Sequence, residues 1–251
     1  MFTVEDHNRL RDHLVEMARA DRRLVAGALI GSTTDARGDR WADLDLTFGI
    51  AGNANLLDVL ADWTACLEGE FNAVRLFDLP HQSTMYRVFL FPGSLQVDLS
   101  FTPEAEFGAL GPKFKLLFGS AVERSQPKPT SPQHLFGLAV HHLVRARICV
   151  ERGRFWQAEY WIGEARNQAL TLACYHNGVQ TNYGRGFDDL PEEILESFRE
   201  PPVTEVSRDQ LLKALGRAAN RLLHNSQDVR EVASKLDAPL RELGTESPLG
   251  R

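Results

Sequence analysis

The chain has 251 residues, 43% of them hydrophobic and 25% charged, with a formal net charge of −6. It is long enough to bury a substantial core as two modest domains, and its acidic balance argues against a general nucleic-acid binder, which would offer phosphates a basic face. Cys66, Cys149 and Cys174 are widely spaced without a metal-ligand pattern, the first residues lack a basic and then apolar leader, and no run reaches membrane-span length; the expectation is a soluble cytoplasmic protein.

Residues 3–20 are expected to form an amphipathic helix, with Thr3 and Asp6 placed as a cap and Leu10, Leu14 and Met17 on one face. Residues 24–30 form a short apolar run ended by Gly31, the pattern of a buried strand stopping at a turn. Gly31 permits close backbone approach, and Ser32, Thr33 and Thr34 add hydroxyl donors. A helix starting there would turn its N–H groups and positive dipole end toward an anion such as a triphosphate.

Ten residues after Ser32 comes Asp43-Leu44-Asp45-Leu46, opening a strand that runs to Ile50. Side chains alternate along a strand, so Asp43 and Asp45 share one face while Leu44 and Leu46 take the other. Carboxylates two residues apart, roughly 6.5–7 Å at Cα, can converge on one or two divalent ions. Oxygen ligands favour magnesium, which keeps several waters and is completed by substrate phosphates. A third acid, Asp98, interrupts the apolar run Leu95-Gln96-Val97-Asp98-Leu99, where Val97 and Leu99 would face the core. Three carboxylates gathered without a cation would repel one another and raise their own pKa values.

Gly31-Ser32, a ten-residue spacer, Asp43-Leu44-Asp45-Leu46 and a later Asp98 between apolar residues resemble the signature of the polymerase-beta-type nucleotidyltransferase superfamily. Its small bacterial members include the aminoglycoside, lincosamide and minimal nucleotidyltransferases. The match spans roughly residues 24–102. The resemblance implies an α+β fold in which a mixed β-sheet domain with flanking helices precedes an all-α helical bundle. It also implies two Mg2+ ions on Asp43, Asp45 and Asp98, and a nucleoside triphosphate near Gly31, Ser32 and Thr33. The spacer carries Asp35, Arg37, Asp39 and Arg40, a polar loop that either sets selectivity or is simply solvated.

Further along, residues 55–70 are expected as a helix and 74–79, 86–91, 95–101 and 114–118 as strands, with Pro92-Gly93-Ser94 making a hairpin of the third and fourth of these five elements. The proline-rich stretch 125–132 is the expected linker. It separates a catalytic domain at 1–126 from a bundle at 133–243, followed by a tail at 244–251. Helices are expected at 133–151, 155–176, 192–198, 208–223 and 228–243, without a repeat of fixed period.

Within the bundle, Glu159 and Arg166 are seven positions apart and share a helical face, in a stretch containing Phe155, Trp156, Tyr160 and Trp161. The family resemblance puts a hydroxyl acceptor in the cleft between the domains and a glutamate as general base. Glu159 is the candidate, Glu104 its rival, and Arg166 would meet nucleotide phosphates. His141, His142 and Arg145 could also reach a triphosphate. The acidic loop 185–191 either contacts a cationic acceptor or caps the next helix.

The expected reaction is transfer of a nucleoside monophosphate, from ATP or another triphosphate, to a hydroxyl of a small acceptor resembling an aminoglycoside or lincosamide. Three readings stay open beside it: a catalytically silent partner or regulator of toxin–antitoxin type, a protein-modifying enzyme, and an RNase-like helical domain using Arg217 and His224. No membrane or nucleic-acid partner is expected, and a homodimer is left open.

Overall fold

Helix α1 (Val4–Ala20) begins where Thr3 and Asp6 cap one another. The Thr3 hydroxyl accepts the Asp6 N–H at 3.1 Å, and the Asp6 carboxylate accepts the Thr3 N–H at 3.2 Å. In this computed structural model, residues 2–31, 42–125, 128–199 and 206–245 are described. The expected roles of Ser32 and Thr33 lie outside them, as do the spacer and the last residues of the tail. The chain divides into two compact units, Met1–Pro127 and Lys128–Arg251.

The N-terminal unit is built on β1 (Leu24–Ile30), β2 (Leu44–Ile50), β3 (Val74–His81), β4 (Thr84–Phe91), β5 (Leu95–Pro103) and β6 (Phe114–Phe118), with helix α2 (Leu56–Phe71) between β2 and β3. The sheet order is β3-β4-β5-β2-β1-β6. Strands β2 and β5 run parallel and every other neighbouring pair is antiparallel, so the sheet is mixed. The one parallel pair sets the site, because it brings two strands of widely separated sequence side by side and pointing the same way.

Strand alternation divides the sheet chemically. Leu44, Leu46, Phe48 and Ile50 of β2 join Val97, Leu99 and Phe101 of β5 in a buried core with Leu10, Leu14 and Ala18 of α1 and Val59, Leu60, Trp63 and Leu67 of α2. Trp63 sits among Phe48 and Phe101, with ring centroids 5.2 and 5.8 Å away, and its indole N–H donates to Asp21 at 3.1 Å. The alternate positions are polar: Asp45 and Thr47 on β2, Asp98, Ser100 and Thr102 on β5. Thr47, Ser100 and Thr102 are themselves buried. Thr102 and Thr84 of β4 share a hydrogen bond of 2.8 Å between their hydroxyls.

Strand β3 continues to His81 and is exposed at every position, a sheet edge with no alternation to mark its faces. Asn72, at the end of α2, takes the left-handed conformation with φ 52°, which lets the chain turn back into β3.

The C-terminal unit holds α3 (Pro132–Glu151), α4 (Phe155–His176), α5 (Glu192–Phe198), α6 (Arg208–His224) and α7 (Arg230–Glu242). Helices α3 and α4 form a hairpin turning at Gly153, φ +67°. Buried alanines 139 and 146 on α3, 158, 165, 169 and 173 on α4 and 214, 218 and 219 on α6 line the packed faces, and their small volume lets the helices approach closely. Arg147 ties the end of the unit down by donating to the carbonyls of Leu243 and Thr245, both at 2.6 Å. The expected helix from residue 228 starts two residues later, because Gln227–Val229 closes as a 3-10 turn before α7 begins. Among the described residues no helix is long and apolar enough to cross a membrane.

Candidate metal centre

The triad forms at one end of the parallel pair. Asp45 on β2 lies directly opposite Asp98 on β5, and Asp43 sits just before β2 starts. One carboxylate oxygen from each of Asp43, Asp45 and Asp98 lies within 4.8 Å of the other two, and all three residues are partly buried. The cause is local: β2 alternates acid and leucine, Leu44 and Leu46 are drawn fully into the core, and the intervening carboxylates are turned to the opposite face.

Gly31 completes this corner. Strand β1 ends at Ile30, antiparallel to β2, and Gly31 follows with φ +76° while its N–H donates to the Lys113 carbonyl at 3.2 Å. A Cβ built there would stand 2.2 Å from an Asp45 carboxylate oxygen. Glycine is therefore required twice, by its backbone conformation and by the carboxylate it touches.

The electrostatics are those of an anionic site. Burial pushes the Asp98 carboxyl above its ordinary range; a hydrogen bond from the Gln96 amide at 3.0 Å opposes this, and the negative charge of Asp43 adds to it. Neither Asp43 nor Asp98 forms an ion pair with another described residue. Three oxygen-donating carboxylates at this spacing fit a hard divalent cation that also keeps waters or phosphate oxygens, which is the ligand chemistry of magnesium.

Sequence reasoning missed His7. It lies on the buried stripe of α1 with Leu10 and Leu14, 7% exposed, and packs toward Asp43. Burial holds its imidazole below the usual histidine range, against the opposing pull of the Asp43 backbone and carboxylate. Its Nε2 has no hydrogen-bond partner among the described residues. The i, i+3, i+7 spacing of His7, Leu10 and Leu14 was the signal that could have revealed it.

Of the remaining expected residues, Glu104 belongs to the N-terminal unit and Glu159, Arg166, His141, His142 and Arg145 to the helical unit. Glu104 follows β5 at the end opposite Asp98, beyond about 17 Å of extended strand, and its carboxylate accepts the Gly52 N–H at 3.2 Å. That hydrogen bond ties the turn after β2 to the end of β5. Glu159 and Arg166 are exposed on α4 of the helical unit. In that unit, His142 is buried and lies against Trp161, ring centroids 5.1 Å apart, and the Arg145 guanidinium stands 5.4 Å from the Trp161 ring.

No protein-family model matches the chain, and no curated protein matches it. Among solved structures, it is similar to the crystal structure of an aminoglycoside 6-adenyltransferase from Bacillus subtilis, at 11% identity and a TM-score of 0.38, covering 98% of this chain and 100% of that one. The chemistry of the three carboxylates therefore stands on their own geometry.

Proposed function

We propose that the chain is a magnesium-dependent nucleotidyltransferase that moves a nucleoside monophosphate, with ATP as the first candidate donor, to a hydroxyl of a small acceptor. The observation that carries this reading is the convergence of Asp43, Asp45 and Asp98 within 4.8 Å beside a glycine whose backbone leaves no room for a side chain. Asp43, Asp45 and Asp98 would hold the metal, which when bound lowers the pKa of an attacking hydroxyl and neutralises charge on the triphosphate.

The protein's own groups then divide the work. Gly31 puts no side chain against Asp45, which would let phosphate oxygens come up against the acids. The leucines of β2 lock the backbone that carries Asp43 and Asp45, so the carboxylates are positioned before substrate arrives. Asp98 would be the first candidate to accept the proton of the attacking hydroxyl. Glu159 is the alternative base, and Arg166, on the same helix, would meet phosphate charge. An aminoglycoside or lincosamide is the acceptor class favoured by the family resemblance.

The test is incubation with magnesium and each alpha-labelled nucleoside triphosphate against a panel of aminoglycosides, lincosamides and candidate proteins. Label that tracks one small acceptor supports the proposal. Label on protein would move it to protein modification, and tight nucleotide binding without transfer under any condition would favour a silent regulator.

A further inference from the structure

The helical unit carries an open concavity with the means to hold a ligand. Where α5, α6 and α7 meet there is a cavity of about 730 Å3, lined by Arg221 and His224 from the end of α6, Arg230 from the start of α7 and Arg241 from its last turn. Among the described lining residues the single acid is Asp237. Arg241 already holds it with two hydrogen bonds of 2.8 and 3.0 Å while donating to the Asn220 side-chain carbonyl at 2.9 Å.

The acids beside the cavity are likewise matched. Glu231 is paired with Lys235 at 2.9 Å and Asp228 with His176 at 3.1 Å. Arg230 and His224 have no hydrogen bond or ion pair among the described residues. In a chain of net charge −6, this concavity carries three arginines, and among the described lining residues no acid pairs with Arg230.

We infer that this cavity binds a small organic phosphate, with Arg230 and His224 contacting the phosphoryl oxygens. Guanidinium groups match the planar, multi-oxygen face of a phosphate and carry no acceptor that would repel it. The volume lies in the range of small-molecule sites, roughly 300–1,000 Å3, too large for an inorganic phosphate alone. Leu223 and Ala233 supply apolar wall for an organic body of nucleotide size. Arg217, the other member of the RNase-like pair suggested by sequence, is not part of this lining.

Isothermal titration calorimetry tests the site in EDTA, which removes divalent ions from the acidic triad, with 5′-AMP, inorganic phosphate and a short single-stranded RNA as probes. The expected result is saturable AMP binding at least about 10-fold tighter than inorganic phosphate. Arg230→Gln should weaken it by about 10-fold and His224→Gln by a smaller factor, consistent with loss of one charged hydrogen bond each. Asp45→Asn should leave it unchanged, which separates this site from the triad. Absence of AMP binding at millimolar concentration would overturn the inference, as would undiminished binding by the double variant with its thermal unfolding intact. Preference for RNA would overturn it in favour of a nucleic-acid surface.

Discussion

Two cross-strand pairs in the same sheet treat an aspartate in opposite ways. On β3 and β4, Asp78 lies directly opposite Arg87; on β2 and β5, Asp45 lies directly opposite Asp98. Arg87 is buried and grips Asp78 with hydrogen bonds of 2.6 and 2.7 Å, while its other donors reach the Leu60 carbonyl and the Thr64 hydroxyl of α2, both at 2.8 Å. Asp45 faces a like charge instead, and Asp43 adds a third. Opposite charges across a strand pair stabilise a sheet and like charges destabilise it. The first pair fastens a strand to a helix; the second gathers like charges, which on the proposed reading a divalent cation would relieve.

The largest effect that can break this comparison is catalytic. Asp45→Asn and Asp43→Asn should each lower nucleotidyl transfer by at least about 1,000-fold, an upper-range loss for a group that stabilises transition-state charge. The melting temperature of Asp43→Asn without magnesium should stay level or rise. A variant that unfolds easily would give these acids a structural role and erase the contrast.

Arg87→Ala should do the reverse, lowering stability by about 1–3 kcal/mol, because Asp78 keeps only the longer pairing with Arg75 at 3.9 Å and the link from β4 to α2 is lost. At a temperature where the variant is folded, its transfer activity should remain close to that of the parent. Chemical unfolding paired with the labelled-transfer assay checks both halves.

Gly31→Ala sharpens the picture at the triad. Its left-handed backbone should cost about 1–2 kcal/mol, and the new Cβ must displace the Asp45 carboxylate it would meet at 2.2 Å. Activity should therefore fall by far more than stability does, and magnesium dependence should shift to higher concentration.

The smallest expected effect is in pH dependence, where the two pairs have opposite signs. Arg87 holds the Asp78 carboxyl below its ordinary range, so its contribution is present above the unfolded pKa and is lost as pH falls through the folded one. Asp98 is raised by burial, so its contribution is present below the unfolded pKa and is lost as pH rises through the folded one. Melting temperature against pH in metal-free buffer should lose part of its acid limb in Asp78→Asn. In Asp98→Asn it should gain stability above the usual carboxylate range. Like slopes in both variants would contradict the comparison.

The sequence made one side of this contrast legible and left the other hidden. Leucines alternating with acids at residues 43–46 announce which way a carboxylate faces, and Thr3 with Asp6 announces a helix start, because both are rules about neighbours in the chain. That Asp45 would stand opposite Asp98 requires a parallel pairing between strands some fifty residues apart, which the alternation permits without specifying. Arg87 reads as a polar residue in an apolar strand; its role exists only once Asp78, Leu60 and Thr64 surround it. His7 is similar: its place on the helix stripe was readable, its approach to Asp43 was not. Strand β3 carried too little alternation to disclose that it is a fully exposed edge, and the hydrogen bond from the Gly52 N–H to Glu104 exists only once β2 and β5 lie side by side.

The most direct test of the acidic centre is the number of Mn2+ ions bound per chain, followed by electron paramagnetic resonance in the presence of a non-hydrolysable nucleoside triphosphate. Two ions on the wild-type chain, with at least one lost in both Asp45→Asn and Asp98→Asn, is the expected result. Equal metal occupancy in all three proteins would contradict the assignment of these carboxylates as the metal-holding group.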